Sequence, residues 1–171
     1  MRRITINIVN LLITIILSLL QSCSIETYST KKLTADQEIL IYINNNELDV
    51  KPEMSGLVFV PLKNGDGNFP CDGDKVAFHY NGYFLNGEIF DTSYDKSYPL
   101  IVELGSDMII IGLEEALKLM DKGGKAKVII PFYLAYNDLE SAPVPPYSNL
   151  IFEIELIDFV SKDKWDSYLK Y

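Results

Sequence analysis

The sequence predicts an α+β domain in which a single antiparallel sheet wraps around one short helix, behind an N-terminal helical lead. Three observations predict it. From Leu57 onward the hydrophobic pattern shifts to period two, the signature of strands with one buried face. Only one good helix interrupts those strands, with Leu113, Ala116, Leu117 and Met120 at i, i+3, i+4 and i+7. One helix cannot cover two sheet faces, so a sheet curled around it is the economical way to build one core, and the residues from 50 to 160 are enough for an independent domain.

Composition narrows the chemistry. The 171 residues include 15 Lys and Arg against 24 Asp and Glu, a net charge of −9 that argues against a nucleic-acid-binding surface. A hydrophobic content of 48% with 23% charged residues is that of a globular chain. His79 is the single histidine, and Cys23 and Cys71 are the two cysteines. That inventory supplies no zinc cage, no Ser–His–Asp triad and no disulfide framework, so much ordinary enzyme chemistry is not expected.

In chain order, Arg2 and Arg3 precede an apolar run from Ile4 to Leu20, which reads as a secretion signal over residues 1–22. Leu20-Gln21-Ser22-Cys23 resembles a bacterial lipobox, which implies that Cys23 is lipidated and becomes the mature N-terminus. The alternative is an uncleaved anchor, since residues 4–20 reach the lower limit for spanning a bilayer. Either reading places the rest of the chain in the cell envelope, tethered to a lipid surface; the lipoprotein reading points to the outer membrane, facing the periplasm or the surface. Residues 23–54 read as a linker and a short helical lead. Thr34-Ala35-Asp36-Gln37 has capping-box spacing and predicts a helix from about 36 to 45, ended by Asn44-Asn45-Asn46. Its apolar side suits docking on the domain or on a second copy, as in a homodimer.

Strands are predicted at Leu57–Leu62, Lys75–Phe84, Pro99–Leu104, Lys125–Ile130 and Leu150–Phe159. Val76, Phe78 and Tyr80 share one face of the second; Phe152, Ile154 and Leu156 alternate with Glu153 and Glu155 in the last. Asn64-Gly65-Asp66-Gly67 reads as a turn, and it is not a phosphate loop because no Gly-Lys-Ser/Thr follows. Glu114 and Glu115 fall in the first turn of the helix, where its dipole favours negative charge, and Gly123-Gly124 is expected to end it.

His79-Tyr80-Asn81-Gly82, Phe90-Asp91, Gly112-Leu113-Glu114-Glu115-Ala116-Leu117, Pro131 with Ala135-Tyr136, and Val144-Pro145-Pro146 stand in the order found in FKBP-type peptidyl-prolyl isomerases. The resemblance covers about residues 55–160 and leaves 161–171 as a C-terminal tail, with Trp165 expected to pack on the domain. With the lipobox it looks like the bacterial lipoprotein members. It implies a half-open antiparallel sheet of five to six strands around the helix, and cis–trans isomerisation of X-Pro bonds in proline-containing polypeptides without a cofactor.

By that resemblance the substrate pocket falls on Tyr80, Phe90, Leu100, Ile109, Ile110, Leu113, Val144 and Phe152, with Asp91 and Tyr136 as the polar residues at the reacting amide. Tyr80, Phe90 and Phe152 would wall the proline ring and Leu113 would floor it. The Ile110 N–H and the Tyr136 hydroxyl would hold substrate carbonyls. From pattern alone Tyr80, Phe90, Leu113 and Phe152 also suit a core, Asp91-Thr92-Ser93 suits a turn, and Tyr136 suits a loop cap. Leu113 stands where the best-studied members have tryptophan, an aromatic is common where Leu100 stands, and the loop 137–143 is short and lacks the usual glycine after the tyrosine. His79 is expected on the opposite sheet face from Tyr80. A binding module with the same groove and negligible turnover, a chaperone or scaffold in an envelope assembly, is the alternative function.

Overall fold

A computed structural model describes residues 27–164; the segment expected to be a secretion signal, Cys23 and Trp165 lie outside those residues. The described residues fall into two units, 27–31 in the first and 32–164 in the second. In the first, the described residues open helix α1 (Tyr28–Asn45), where the Thr30 N–H donates to the Thr27 hydroxyl at 3.4 Å, an N-cap. The helix therefore begins eight residues earlier than the expected 36, and Thr34 lies inside it. Nothing between Ser29 and Leu33 breaks a helix, so the capping box at Thr34 is overridden.

All other elements belong to the second unit: β1 (Val58–Lys63), β2 (Lys75–Phe84), β3 (Ile89–Thr92), β4 (Leu100–Glu103), α2 (Ile111–Lys118), β5 (Lys125–Ile130), a 3₁₀ turn (Phe132–Leu134) and β6 (Leu150–Val160). The strands form one antiparallel sheet in the order β1-β5-β6-β2-β3. The long strand β2 pairs with β6 along its length, while its other edge takes β4 at residues 75–78 and β3 at residues 81–83. The expected antiparallel α+β architecture stands. β3 is an addition: four residues of mixed exposure carry too little periodicity to announce a strand, and Asp91-Thr92 lies in it rather than in a turn.

Alternation decides which side chains enter the core. Val76, Phe78 and Tyr80 of β2, Ala126, Val128 and Ile130 of β5, and Phe152, Ile154 and Leu156 of β6 are buried on the concave face. They close on Leu113, Ala116 and Leu117 of α2 and on Met120, burial that supplies the main driving force of the fold. Gly112 allows α2 to lie this close, because a Cβ there would strike the Ile130 side chain. α2 ends at Lys118, before Gly123-Gly124. That pair instead feeds β5, with the Gly123 N–H donating to the Leu156 carbonyl at 2.8 Å.

The convex face has its own apolar cluster. Ala35, Ile39 and Ile43 recur every four residues along α1 and are buried, and Ile39 and Ile43 pack against Val58, Ile129 and Ile151. The helix stops in a Schellman motif: the Leu48 N–H donates to the Ile43 carbonyl at 3.0 Å and the Glu47 N–H to the Asn44 carbonyl at 3.2 Å, with Glu47 left-handed at φ 52°.

Candidate active site

The site lies where the sheet is left open beside the N-terminus of α2. Gly82 of β2 pairs with Phe152 on β6 and with Asp91 on β3. Lacking a side chain, it leaves room for the Phe90 ring to fold across the strand; a Cβ at position 82 would lie 2.7 Å from Phe90 Cζ. Phe90 then meets Phe152 edge-on, with ring centroids 5.6 Å apart and planes at 87°, and Tyr80 lies 5.7 Å from Phe152 on its other side. These are favourable aromatic geometries, and they turn three strands into one wall.

That wall borders an open cleft of about 340 Å³. Tyr80 and Phe152 line it, with Asp91 from β3 and Leu100 from the start of β4. Asp107, Met108, Ile109 and Ile110 come from the loop into α2, Leu113 from its first turn, and Tyr136 from the segment after the 3₁₀ turn. Tyr80 and Phe152 are only 8% and 2% exposed, yet both still reach the cleft, so the rings are not sealed inside.

The polar groups are few and oriented. The Tyr80 hydroxyl donates to Asp91 Oδ2 at 2.5 Å, while the Thr92 N–H donates to Asp91 Oδ1 at 2.9 Å. Burial, then the hydrogen bond to Asp91, pushes the Tyr80 phenol far above the usual tyrosine range; burial and the Asp91 charge also raise Tyr136. Both hydroxyls stay protonated at neutral pH. Among the described residues the Tyr136 hydroxyl has no hydrogen-bond partner, which leaves it available to donate into the cleft. At the N-cap of α2, Ile110 is extended at φ −61° and ψ 146°, and its carbonyl accepts from the Leu113 and Glu114 N–H groups. An aromatic slot with one free phenol donor and one tethered carboxylate suits the grip of an apolar ring beside an amide, not acid–base chemistry.

The description "FKBP-type peptidyl-prolyl cis-trans isomerase" belongs to the family model that matches residues 67–157, a little over half of the chain. The chain belongs to that family. It is 46% identical over 114 residues to the FKBP-type isomerase FkpA of Buchnera aphidicola subsp. Baizongia pistaciae, covering 67% of this chain and 45% of that protein. It is 40% identical over 121 residues to FkpA of Escherichia coli K12, covering 71% and 44%. To an FK506-binding protein of Neisseria meningitidis serogroup B it is 38% identical over 105 residues, covering 61% of this chain and 96% of that one. The crystal structure of FkpA from Escherichia coli superposes with a TM-score of 0.67 at 30% identity, over 90% of this chain and 72% of that one. The chain thus spans a little under half the length of the FkpA sequences it matches.

Eight of the ten positions that the family resemblance singled out border one cleft: Tyr80, Asp91, Leu100, Ile109, Ile110, Leu113, Tyr136 and Phe152. Phe90 stands behind Phe152 as part of the wall, packed also on Phe84 at 5.1 Å. Val144 is buried in the core at 3% exposure and does not border the cleft. Asp107 and Met108 border it and were missed; their place directly ahead of Ile109-Ile110, in the loop feeding α2, was the available signal. His79 lies off the cleft, hydrogen-bonded through Nδ1 to the Ser93 hydroxyl at 3.0 Å and stacked on Tyr94. Ser93 is fully buried and accepts from the Tyr80 N–H at 2.8 Å, so this pair braces the strand that carries the site. Cys71 sits in a turn beside Asp74, whose hydrogen bond and charge raise its thiol pKa and disfavour the reactive thiolate.

Proposed function

We propose that the chain accelerates cis–trans isomerisation of X-Pro bonds in exported polypeptides. The observation that carries this reading is the cleft itself: the Tyr80–Phe90–Phe152 wall, the Leu113 floor and the free Tyr136 hydroxyl converge on a space sized for a proline ring. Rotation of a peptide bond costs about 18–20 kcal/mol because resonance holds it planar. Water deepens that barrier by hydrogen-bonding the carbonyl oxygen, which carries the negative charge of the planar form. An aromatic slot strips those bonds and favours the twisted amide, whose carbonyl is closer to a ketone. A millionfold acceleration needs about 8 kcal/mol, which ring binding and a pre-organised twist supply without nucleophile or base. In this reading the Ile110 N–H and the Tyr136 hydroxyl hold flanking carbonyls, and Asp91, tethered by Tyr80, stabilises the charge redistribution.

A protease-coupled assay with a proline tetrapeptide tests the proposal. The unaltered chain is expected to shorten the slow phase, and Tyr136→Phe and Asp91→Ala to cost roughly ten- to a hundredfold in kcat/KM with the circular dichroism unchanged. Peptide binding without turnover in the unaltered chain establishes the binding module in place of the enzyme.

The basic-apolar N-terminus and Leu20-Gln21-Ser22-Cys23 support a lipid anchor on Cys23 and residence in the cell envelope, where uncatalysed prolyl isomerisation limits folding of newly exported chains. Cys23→Ala should abolish incorporation of labelled palmitate and release the chain from the membrane fraction. Leu33 and Leu40, 60% and 48% exposed and seven residues apart, share one stripe of α1 and supply a surface for self-association. Sedimentation that is unchanged by concentration would remove that part of the proposal.

A further inference from the structure

The charge of the cleft bears on which proline segments it takes, an inference that rests on its reading as a polypeptide site. Two of the residues lining it, Asp91 and Asp107, are carboxylates, and none is Lys, Arg or His. Asp91 is occupied by the Tyr80 hydroxyl and the Thr92 N–H. Asp107 is exposed on the turn between β4 and α2, and among the described residues its carboxylate has no hydrogen-bond or ion-pair partner. A third carboxylate, Glu114, reaches the same turn and accepts from the Gly105 N–H at 3.3 Å. Lys118 of α2 pairs with Asp72 and Lys75 of β2 with Glu103, while Lys96 lines a separate hollow beyond Leu100.

We infer that the cleft selects X-Pro segments carrying Lys or Arg next to the proline and disfavours those carrying Asp or Glu, with Asp107 as the specificity-determining residue. Asp91 sets a uniform negative background that the transition state also uses. Asp107 adds a charge at the rim of the cleft that meets only the flanking side chain, a solvent-screened attraction that salt weakens. The net charge of −9 draws cationic peptides to the whole surface as well, so the test must separate the local charge from the global one.

Full-length chain is assayed with otherwise identical tetrapeptides bearing Lys, Ala or Glu before the proline, and a second set bearing them after it. Both kcat/KM and the calorimetric Kd are read. In at least one set the Lys peptide is expected to exceed the Glu peptide by roughly 3- to 10-fold at low salt, and the difference to shrink several-fold near 0.5 M salt, where the Debye length falls to about 4 Å. Asp107→Asn should at least halve the ratio, and it preserves the backbone because asparagine tolerates the left-handed φ of 56° at this position. Asp49→Asn removes the same charge between Leu48 and Val50, which pack on the convex face, and should leave the ratio unchanged. A ratio of 2 or less in both sets, or equal losses in the two variants, overturns the inference. Turnover of the Ala peptide with no charge preference sinks the preference and leaves the isomerase reading standing. Selective binding of the Lys peptide without turnover does the reverse.

Discussion

At the scale of single residues, the site depends as much on an absent side chain as on those present. Gly82 lets the Phe90 ring cross β2, and that crossing sets the wall against which Phe152 packs. A methyl group there is met by a ring that is itself held by Phe84 and Phe152, so it cannot yield freely. Gly82→Ala is therefore expected to lose about 1–3 kcal/mol of stability in urea titration and to depress turnover more than the same loss at a remote position does. A change under about 0.5 kcal/mol would show that Phe90 relaxes without cost and is not part of a built wall. Tyr80 illustrates the same economy: its ring belongs to the core and its hydroxyl to the site, so one residue satisfies both the core reading and the pocket reading.

At the scale of elements, α1 and α2 do different work on opposite faces of one sheet. α2 fills the concave face and brings Leu113 to the cleft, whereas α1 seals the convex face with Ile39 and Ile43. Ile39 is 2% exposed and Ile41 is 58% exposed. Ile39→Ala should cost about 2–5 kcal/mol in chemical denaturation, and Ile41→Ala less than about 0.5 kcal/mol. Under native conditions Ile39→Ala should leave kcat/KM on a neutral peptide intact, because the cluster it disrupts does not border the cleft. A comparable cost at both positions would mean that Ile41 packs as tightly as Ile39 and that α1 meets the sheet through a different face.

At the scale of the whole molecule, stability is limited by titration at both ends of the pH range. On the acid side, N–H groups of Gly65 and Gly67 hold the Asp121 carboxyl below its ordinary range, Lys125 does so for Glu155, and Lys122 for Asp158. Their depressed values mean that the stability they contribute is present above the unfolded carboxylate values, about 4, and is lost as pH falls through the folded ones. On the alkaline side, Tyr80 and Tyr136 are raised, chiefly by burial. Their contribution is complete below the unfolded phenol value of about 10 and is lost as pH climbs toward the folded values. Melting temperature followed by circular dichroism should therefore show a plateau between those limits and fall on either side. Absorbance at 295 nm should show part of the phenolate signal appearing only with unfolding. If all 11 tyrosines ionise near their ordinary value while the chain stays folded, the enclosed pair is not as described.

What the sequence determined by itself was everything that follows from local periodicity and residue order. Period-two alternation placed β2 and β5 at their observed bounds and β6 within one residue of its end, and the i, i+3, i+4, i+7 stripe found α2. The order of short motifs was enough to bring eight site residues to one cleft. Where local signals were weak or in competition, tertiary structure decided. β3 is too short to announce itself and exists because β2 offers it an edge; α1 begins at Tyr28, since helix propensity runs through the Thr34 signal without a break. The entry of Asp107 and the burial of Val144 depended on how a loop and a bend settle against a packed core. Such packing joins residues far apart in the chain, and no repeat along the sequence encodes it.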